Sequence, residues 1–460
     1  MRIRRAALAV CIVAGAAIPA LASSPAAADP PEDDCEIYCP GAINQIQVPG
    51  PNGTWTPTDC TMFPIDNVWH STVTDESVEV IQDLDPEEFD YSEVDYGEPV
   101  LRARFAAGST PATSGHGINV ISSAQADRKF WIDAGSPSDL NRSEWNQRDP
   151  VWYGYDYFMR HESPAKSALK WQDMNNGVPF NGAGDNHLYF VDAYSDASRT
   201  DQGASCLSHE YIGYNPLVSS ASTLKVMHGV TYDLTANTRR LSSDAASPLP
   251  YSVGPGYAGL VGGYKNDIHA QGGSGLSGLA GMIRVDEVFA NSTSADQTVR
   301  ATGGIDHALG AVLPSSMIRS SASTDPEFTW PATRSDGTQA NAATSVPMGS
   351  RLRMKAAECA AFDTSYTGSS YAQARLIVDA MCEHGLIVID SSQVFGLYGE
   401  MSNKWLTSDL AALSSLGLGD FEVVDAEPMR RVTGGADCST NWNQPSTTQP
   451  CNSLDWLAVN

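Results

Sequence analysis

Apolar and polar positions alternate in short runs through the middle of the chain. The clearest is Leu224-Lys-Val-Met-His-Gly-Val-Thr-Tyr-Asp-Leu234, and Ile283-Arg-Val-Asp-Glu-Val288 and Arg351-Leu-Arg-Met-Lys355 repeat the pattern. A period of two puts successive side chains on opposite faces of a strand. Gly-, Ser-, Asn- and Asp-rich turns separate these runs from about 100 to 357, and long helical periodicities are missing there. The pattern predicts a mainly β protein with a jelly-roll or β-sandwich body. The glycine-dense stretch Gly272 to Gly281 reads as a mobile loop.

The pattern changes toward the C-terminus. Leu376, Ile377, Ala380, Met381 and His384 share one face of a helix predicted over Tyr371–His384, and Gly385 follows as its C-cap. Leu386-Ile-Val-Ile389 reads as a buried strand. Ser408 is placed to cap a short helix carrying Leu410 and Leu413, ended by Gly417, and Phe421-Glu-Val-Val424 reads as another strand. A small α/β C-terminal portion therefore joins the β body.

The N-terminus changes the picture of compartment. Arg2, Arg4 and Arg5 precede an apolar stretch from Ala6 to Leu21, and Ala26-Ala-Ala28 supplies a small-residue cleavage site before Asp29. This is the composition of a secretory signal peptide, not of a membrane span. The expected organisation is a signal peptide over 1–28 and a Cys/Pro-rich arm over 29–60. A β-rich catalytic-type domain follows over 61–430, then a disulfide-pinned tail over 431–460. The expected location is extracellular, as a monomer without a membrane anchor after cleavage.

Cysteine usage agrees with that compartment. Of 9 cysteines, Cys11 lies in the leader, which leaves an even set. Cys359–Cys382 and Cys438–Cys451 are candidate local pairs, and one of Cys35, Cys39 or Cys60 is expected to reach Cys206. Cys35-x-x-x-Cys39 lacks the second pair that a zinc site needs. Asp plus Glu outnumber Lys plus Arg by 54 to 28, for a formal charge of −26. Such a surface repels nucleic acid and anionic lipid, and it keeps a protein soluble. The acidic run Asp83–Glu98 reads as a solvated loop. It is compatible with a structural calcium, but Glu88 stands where an EF-hand loop needs glycine. No metal ligand set and no cofactor is assigned.

The familiar catalytic signatures are missing: there is no Gly-x-Ser-x-Gly elbow, no His-Glu-x-x-His and no P-loop. What remains is carboxylates and histidines. Asp185, His187 and Tyr189 share one side of a predicted strand and suit a sugar hydroxyl or a proton transfer. Glu210 lies among aromatics, where burial would raise its pKa for general-acid work. Glu287 shares the phase of Ile283 and Val285, so alternation points a carboxylate inward. Arg351, Arg353 and Lys355 stack on one strand face about 6.6 Å apart, fit to grip an acidic sugar or pair with Asp244, Asp286 or Glu287. His307 follows a Gly-Gly turn as a candidate proton shuttle. The candidate catalytic set is Asp185, Glu210, Glu287 and His307. The candidate substrate-binding set is His187, Asp244, Arg284, Arg351 and Arg353.

Several stretches resemble a family of secreted bacterial proteins, common in actinobacteria, of unknown function. They are Phe63-Pro-Ile-Asp-Asn-Val-Trp69, Gly184-Asp-Asn-His187, Ser243-Asp-Ala-Ala246, Gly278-Leu-Ala-Gly-Met-Ile-Arg-Val-Asp-Glu287, His307-Ala-Leu309, Pro331-Ala332, Met348-Gly-Ser-Arg-Leu-Arg-Met-Lys355 and Asp420-Phe-Glu-Val-Val424. The chain departs from that pattern by an insertion between Pro250 and Gly278, by Gly310 where Arg is usual, and by Asp390-Ser-Ser in place of Asp-Asn-Gly. The resemblance implies a shared fold and a shared site, and no particular reaction. Together these features predict a secreted glycoside hydrolase that cleaves an extracellular polysaccharide with paired carboxylates. The alternatives are a polysaccharide lyase and a non-catalytic carbohydrate-binding or cell-surface protein.

Overall fold

A computed structural model describes residues 45–74, 78–91, 97–103, 105, 116, 118–121, 129–134, 157–160, 187–192, 206–212, 223–226, 228–237, 273–301, 304–332, 335–430 and 457–459. Asp185, Asp244, the leader and the Cys438–Cys451 pair lie outside them. So do the stretches around Gly184 and Ser243 that contribute to the family resemblance, apart from His187.

Strand dominates this part of the chain. The strands are β1 (Gln45–Pro49), β2 (Trp55–Thr61), β3 (Val80–Asp83), β4 (Arg102–Ala103), β5 (Ile118–Ile121), β6 (Lys129–Ala134), β7 (Tyr157–Arg160), β8 (Leu188–Asp192), β9 (Leu207–Ile212), β10 (Thr223–Val226), β11 (His228–Asp233), β12 (Leu309–Pro314), β13 (Arg351–Met354), β14 (Leu386–Ser392), β15 (Gly396–Leu397) and β16 (Phe421–Val424). The helices are α1 (Val285–Val288), α2 (Ala356–Ser365), α3 (Ala372–His384) and α4 (Thr407–Leu410).

A seven-stranded sheet in the order β3-β16-β13-β14-β12-β15-β4 forms the centre. β12 and β14 run parallel, and β13 pairs antiparallel with both β14 and β16. The central strands are apolar on both faces, as a sheet covered on both sides requires. On β14, Leu386 and Val388 join the core cluster that holds Ile377 and Met381 of α3, whereas Ile387 and Ile389 point to a second cluster with Tyr189 and Val191 of β8. Helices thus cover one face. The four-stranded sheet β11-β9-β8-β5 shares the core of the other.

Local chemistry sets the boundaries of α3. Its first turn leaves N–H groups without intrahelical partners, and the buried Asp409 carboxylate accepts from Gln373 N at 3.0 Å and Ala374 N at 2.9 Å. Gly385 ends the helix at φ 69°, a conformation that favours glycine. Cys359–Cys382 ties α2 to α3, and Cys60–Cys206 ties β2 to the segment leading into β9. No helix among the described residues is long and apolar enough to cross a membrane.

Four expectations are corrected. Ile283–Val288 is not a strand: Ile283 makes one bridge to Gly399, and α1 begins at Val285. Alternation over so short a run does not distinguish a strand from one helical turn, and here Glu287 Oε2 accepts the Arg284 N–H at 2.9 Å, which closes the turn. Leu224–Leu234 supplies residues of two strands, β10 and β11, which join different sheets. The short helix begins at Thr407, and Leu406, not Ser408, occupies its N-cap without a side-chain bond. The glycine-dense segment, described from Gly273, is buried throughout Ser274–Ile283. A Cβ on Gly281 would lie 2.5 Å from Gly310 N and 2.8 Å from the Trp69 ring. The glycines let this segment pack closely against β12.

The acidic run is also anchored, not merely solvated. Leu84, Phe89 and Tyr91 are buried, and Asp83 pairs with Lys355 at 2.7 Å.

Candidate functional site

The residues singled out by the sequence fall into two buried groups. In the first, α1 and the segment before β12 bring Arg284, Glu287 and His307 together. Arg284 Nη2 lies 2.6 Å from Glu287 Oε1, and His307 Nε2 lies 3.2 Å from the same oxygen. His307 Nδ1 faces its neighbour's carbonyl, Ala308 O, at 2.8 Å. Burial opposes charge on Glu287, yet the Arg284 and His307 charges prevail and hold its pKa below the usual carboxylate value. Burial likewise opposes charge on His307, and Glu287 prevails to raise it. Asp286 adds a contact to Arg284 Nε at 3.2 Å. All four side chains are sealed from solvent. This is an internal ion network; Arg284 Nη1 is buried in it without a hydrogen-bond partner among the described residues.

The second group lies on β8 and β9. Glu210 is fully buried. It accepts from Ser277 Oγ, from Gly278 N at 2.9 Å and from Ser208 Oγ at 3.3 Å. Burial pushes its pKa up to about 7 against the pull of those donors. His187 is buried beside Tyr189, their rings stacked at 6.0 Å and Tyr189 Oη 3.4 Å from His187 Nδ1. Glu210 and Glu287 share no hydrogen-bond partner. Glu210, Glu287, His307 and His187 are therefore not presented to a substrate from solvent.

The row of cations is real, but its partners differ from those expected. Arg353 pairs with Glu422 on the adjacent β16 at 2.6 Å, and Lys355 pairs with Asp83 on β3. Arg351 is buried and meets no carboxylate among the described residues. Its guanidinium donates to Val68 O at 3.1 Å and Ser71 O at 2.8 Å, and burial pushes its pKa down to about 9. Arg284, Arg351 and Arg353 are thus held by protein groups instead of facing a sugar.

Among the described residues, an open site lies elsewhere. A cleft of about 780 Å³ runs between one face of α3 and residues 299–301 and 304–306. Its chemistry comes from His70, Asp306, Arg375, Asp379, Glu383 and His384. Residues 372, 375, 376, 379, 380, 383 and 384 recur at helical spacing, so α3 presents a full stripe to it. Asp379 stands exposed on that stripe, and partial burial together with Asp363 and Glu383 raises its pKa against Arg375. His70 has both ring nitrogens against carbonyls, Met62 O at 2.8 Å and Asp306 O at 3.1 Å.

Sequence reasoning missed this cleft by narrow margins. The sequence points to His307, whereas the adjacent Asp306 lines the cleft. It placed His384 on the helix face and stopped at its packing role. His70 directly follows the Phe63–Trp69 stretch. Its signal was that position, a polar side chain next to a run that packs in the core. Among the described residues, no group of three His, Cys, Asp or Glu is arranged to hold a metal ion. Compared with protein-family models, with curated proteins and with solved structures, the chain matches none.

Proposed function

We propose that the protein is a secreted carbohydrate-active hydrolase whose working site is the cleft beside α3. The observation that carries this reading is the convergence of three carboxylates, Asp306, Asp379 and Glu383, on one solvent-reachable space. Glycoside hydrolysis needs one carboxyl that holds its proton and one that is ionised. Asp379 is the candidate for the first role: it stands exposed on the cleft, and partial burial with its neighbours Asp363 and Glu383 moves its pKa upward. Asp379 and Glu383 lie one helical turn apart, roughly 6 Å along the axis. Arg375 supplies donors for sugar hydroxyls.

A β-sandwich body belongs to the same proposal, supported by the core that β8 shares with β14. The parallel pairing of β12 with β14 and of β5 with β8 argues against a strictly antiparallel jelly-roll order. Membership of the secreted bacterial family is likewise proposed. It is supported by the way its motif stretches meet: Trp69 O accepts from Ala308 N at 2.6 Å, and Gly281 O accepts from Gly310 N at 2.7 Å.

The test is a panel of neutral and acidic polysaccharides incubated with the purified protein. New reducing ends, lost in Asp306→Asn, Asp379→Asn or Glu383→Gln, support hydrolysis. Unsaturated uronates would move the reading to a lyase. Retained binding without cleavage across the panel would overturn catalysis and leave a carbohydrate-binding protein.

A further inference from the structure

One imidazole in the cleft differs from its neighbours His70 and His307. His384 is the last residue of α3, and only 5% of its surface is exposed. Its Nδ1 lies 3.2 Å from Ser71 O. A carbonyl oxygen only accepts, so Nδ1 carries the proton and Nε2 carries the lone pair. Nε2 makes no hydrogen bond among the described residues and is not sealed in the interior. His384 lines the cleft.

Ser71 O fixes more than the tautomer. It also accepts from Arg351 Nη2 at 2.8 Å, which places a guanidinium on the far side of the shared oxygen. Among the described residues, Arg351 has no carboxylate to neutralise it. Around His384, burial, Arg351 and His307 disfavour a second proton, while the Ser71 carbonyl and the Glu383 carboxylate favour one. The C-terminal end of α3 also favours a cation. The balance lies on the neutral side.

The neighbouring histidines provide the contrast. His70 has both ring nitrogens engaged by main-chain carbonyls. His307 is engaged by Ala308 O and Glu287 Oε1. Neither has a nitrogen left for a ligand.

We infer that His384 Nε2 is the proton-accepting atom of the cleft, held ready by the Ser71 carbonyl and the buried Arg351 guanidinium. In the proposed reaction it takes a proton from a hydroxyl or a water bound in the cleft. That role rests on the cleft being the working site. The availability of the nitrogen does not, and it is tested separately.

Diethylpyrocarbonate acylates the unprotonated nitrogen of an accessible imidazole. The expectation for the folded protein, followed by peptide mass mapping, is that His384 is modified at least roughly tenfold faster than His70 and His307, whose ring nitrogens all face protein oxygens and react only after local opening. The pH midpoint of that reaction should lie below the ordinary histidine value. His384→Asn keeps a donor for Ser71 O and removes the lone pair, so it should lose this modification while retaining its unfolding midpoint. With any polysaccharide that the protein cleaves, the same variant should lower kcat and abolish the lower limb of the pH profile. Modification no faster than at His70 or His307 would overturn the inference even if cleavage were intact. Fast modification with a silent panel would instead overturn the hydrolase reading and leave this one standing.

Discussion

Glu210 gives a stability prediction with a definite sign. Its carboxyl is fully buried, and its pKa is raised from the ordinary 4.5 to about 7. Below pH 4.5 it is neutral in both the folded and unfolded chains. Between 4.5 and about 7 the unfolded chain releases the proton and the folded chain keeps it. The folded state therefore binds more protons, and stability falls as pH rises through that window. One pKa unit corresponds to about 1.4 kcal/mol, so the contribution present at low pH and lost by neutrality is about 3 kcal/mol. Glu210→Gln removes the titration and preserves the hydrogen bonds. Its amide oxygen can accept from Gly278 N, and its amide nitrogen can donate to the hydroxyls of Ser277 and Ser208. The assay is urea denaturation of parent and variant from pH 4 to pH 8 in about half-unit steps, where other titrating groups cancel in the difference. The variant should gain on the parent progressively, by about 3 kcal/mol in all. A difference that stays constant across the range would refute the reasoning, because it would mean that the buried carboxyl is already ionised or that its pKa is ordinary.

Two further predictions use the same denaturation assay. Glu287→Gln leaves His307 without its counter-charge and Arg284 with Asp286 alone, so it should destabilise the fold by about 3–5 kcal/mol; loss of cleavage at unchanged stability would instead restore Glu287 to a catalytic role. Removing Cys60–Cys206, which spans 146 residues, should cost about 5 kcal/mol in the loop-entropy account, against about 3 kcal/mol for Cys359–Cys382, which spans 23. Equal losses for the two double-alanine variants would reject the loop-length argument.

Much of the scaffold was legible in the chain because the patterns were long or two-sided. The apolar run at 386–389 and the helix stripe ending at His384 match the observed burial, and Arg351–Met354 is the strand that its alternation predicts, although Arg351 is buried. The bridge from the N-terminal cysteines to Cys206 was also foreseen, as was Cys359–Cys382. Short patterns failed. Ile283–Val288 fits a strand by period and forms a helical turn, because Glu287 binds the main chain and Arg284 across three residues. The buried charges drew attention for a sound reason, since isolated charge in an interior is costly. That cost is met by partners distant in sequence, such as His307 for Glu287 and Ser277 for Glu210. The cleft escaped notice because its polar groups come from α3, residues 299–301 and 304–306, and His70, and no local spacing joins them.

The central sheet is assembled from distant parts of the chain. β3 and β4 form its two borders, yet they are made more than two hundred residues before β12, β13, β14 and β16, which fill its middle. During synthesis these border strands emerge first and must wait for their neighbours. Val80 and Ile81 stay partly exposed even in the finished protein. A chain with this order of parts has a long vulnerable interval, in which unpaired strands can join other chains. Shortening the protein from its C-terminal side therefore removes the middle of the sheet and leaves its borders with nothing to hold.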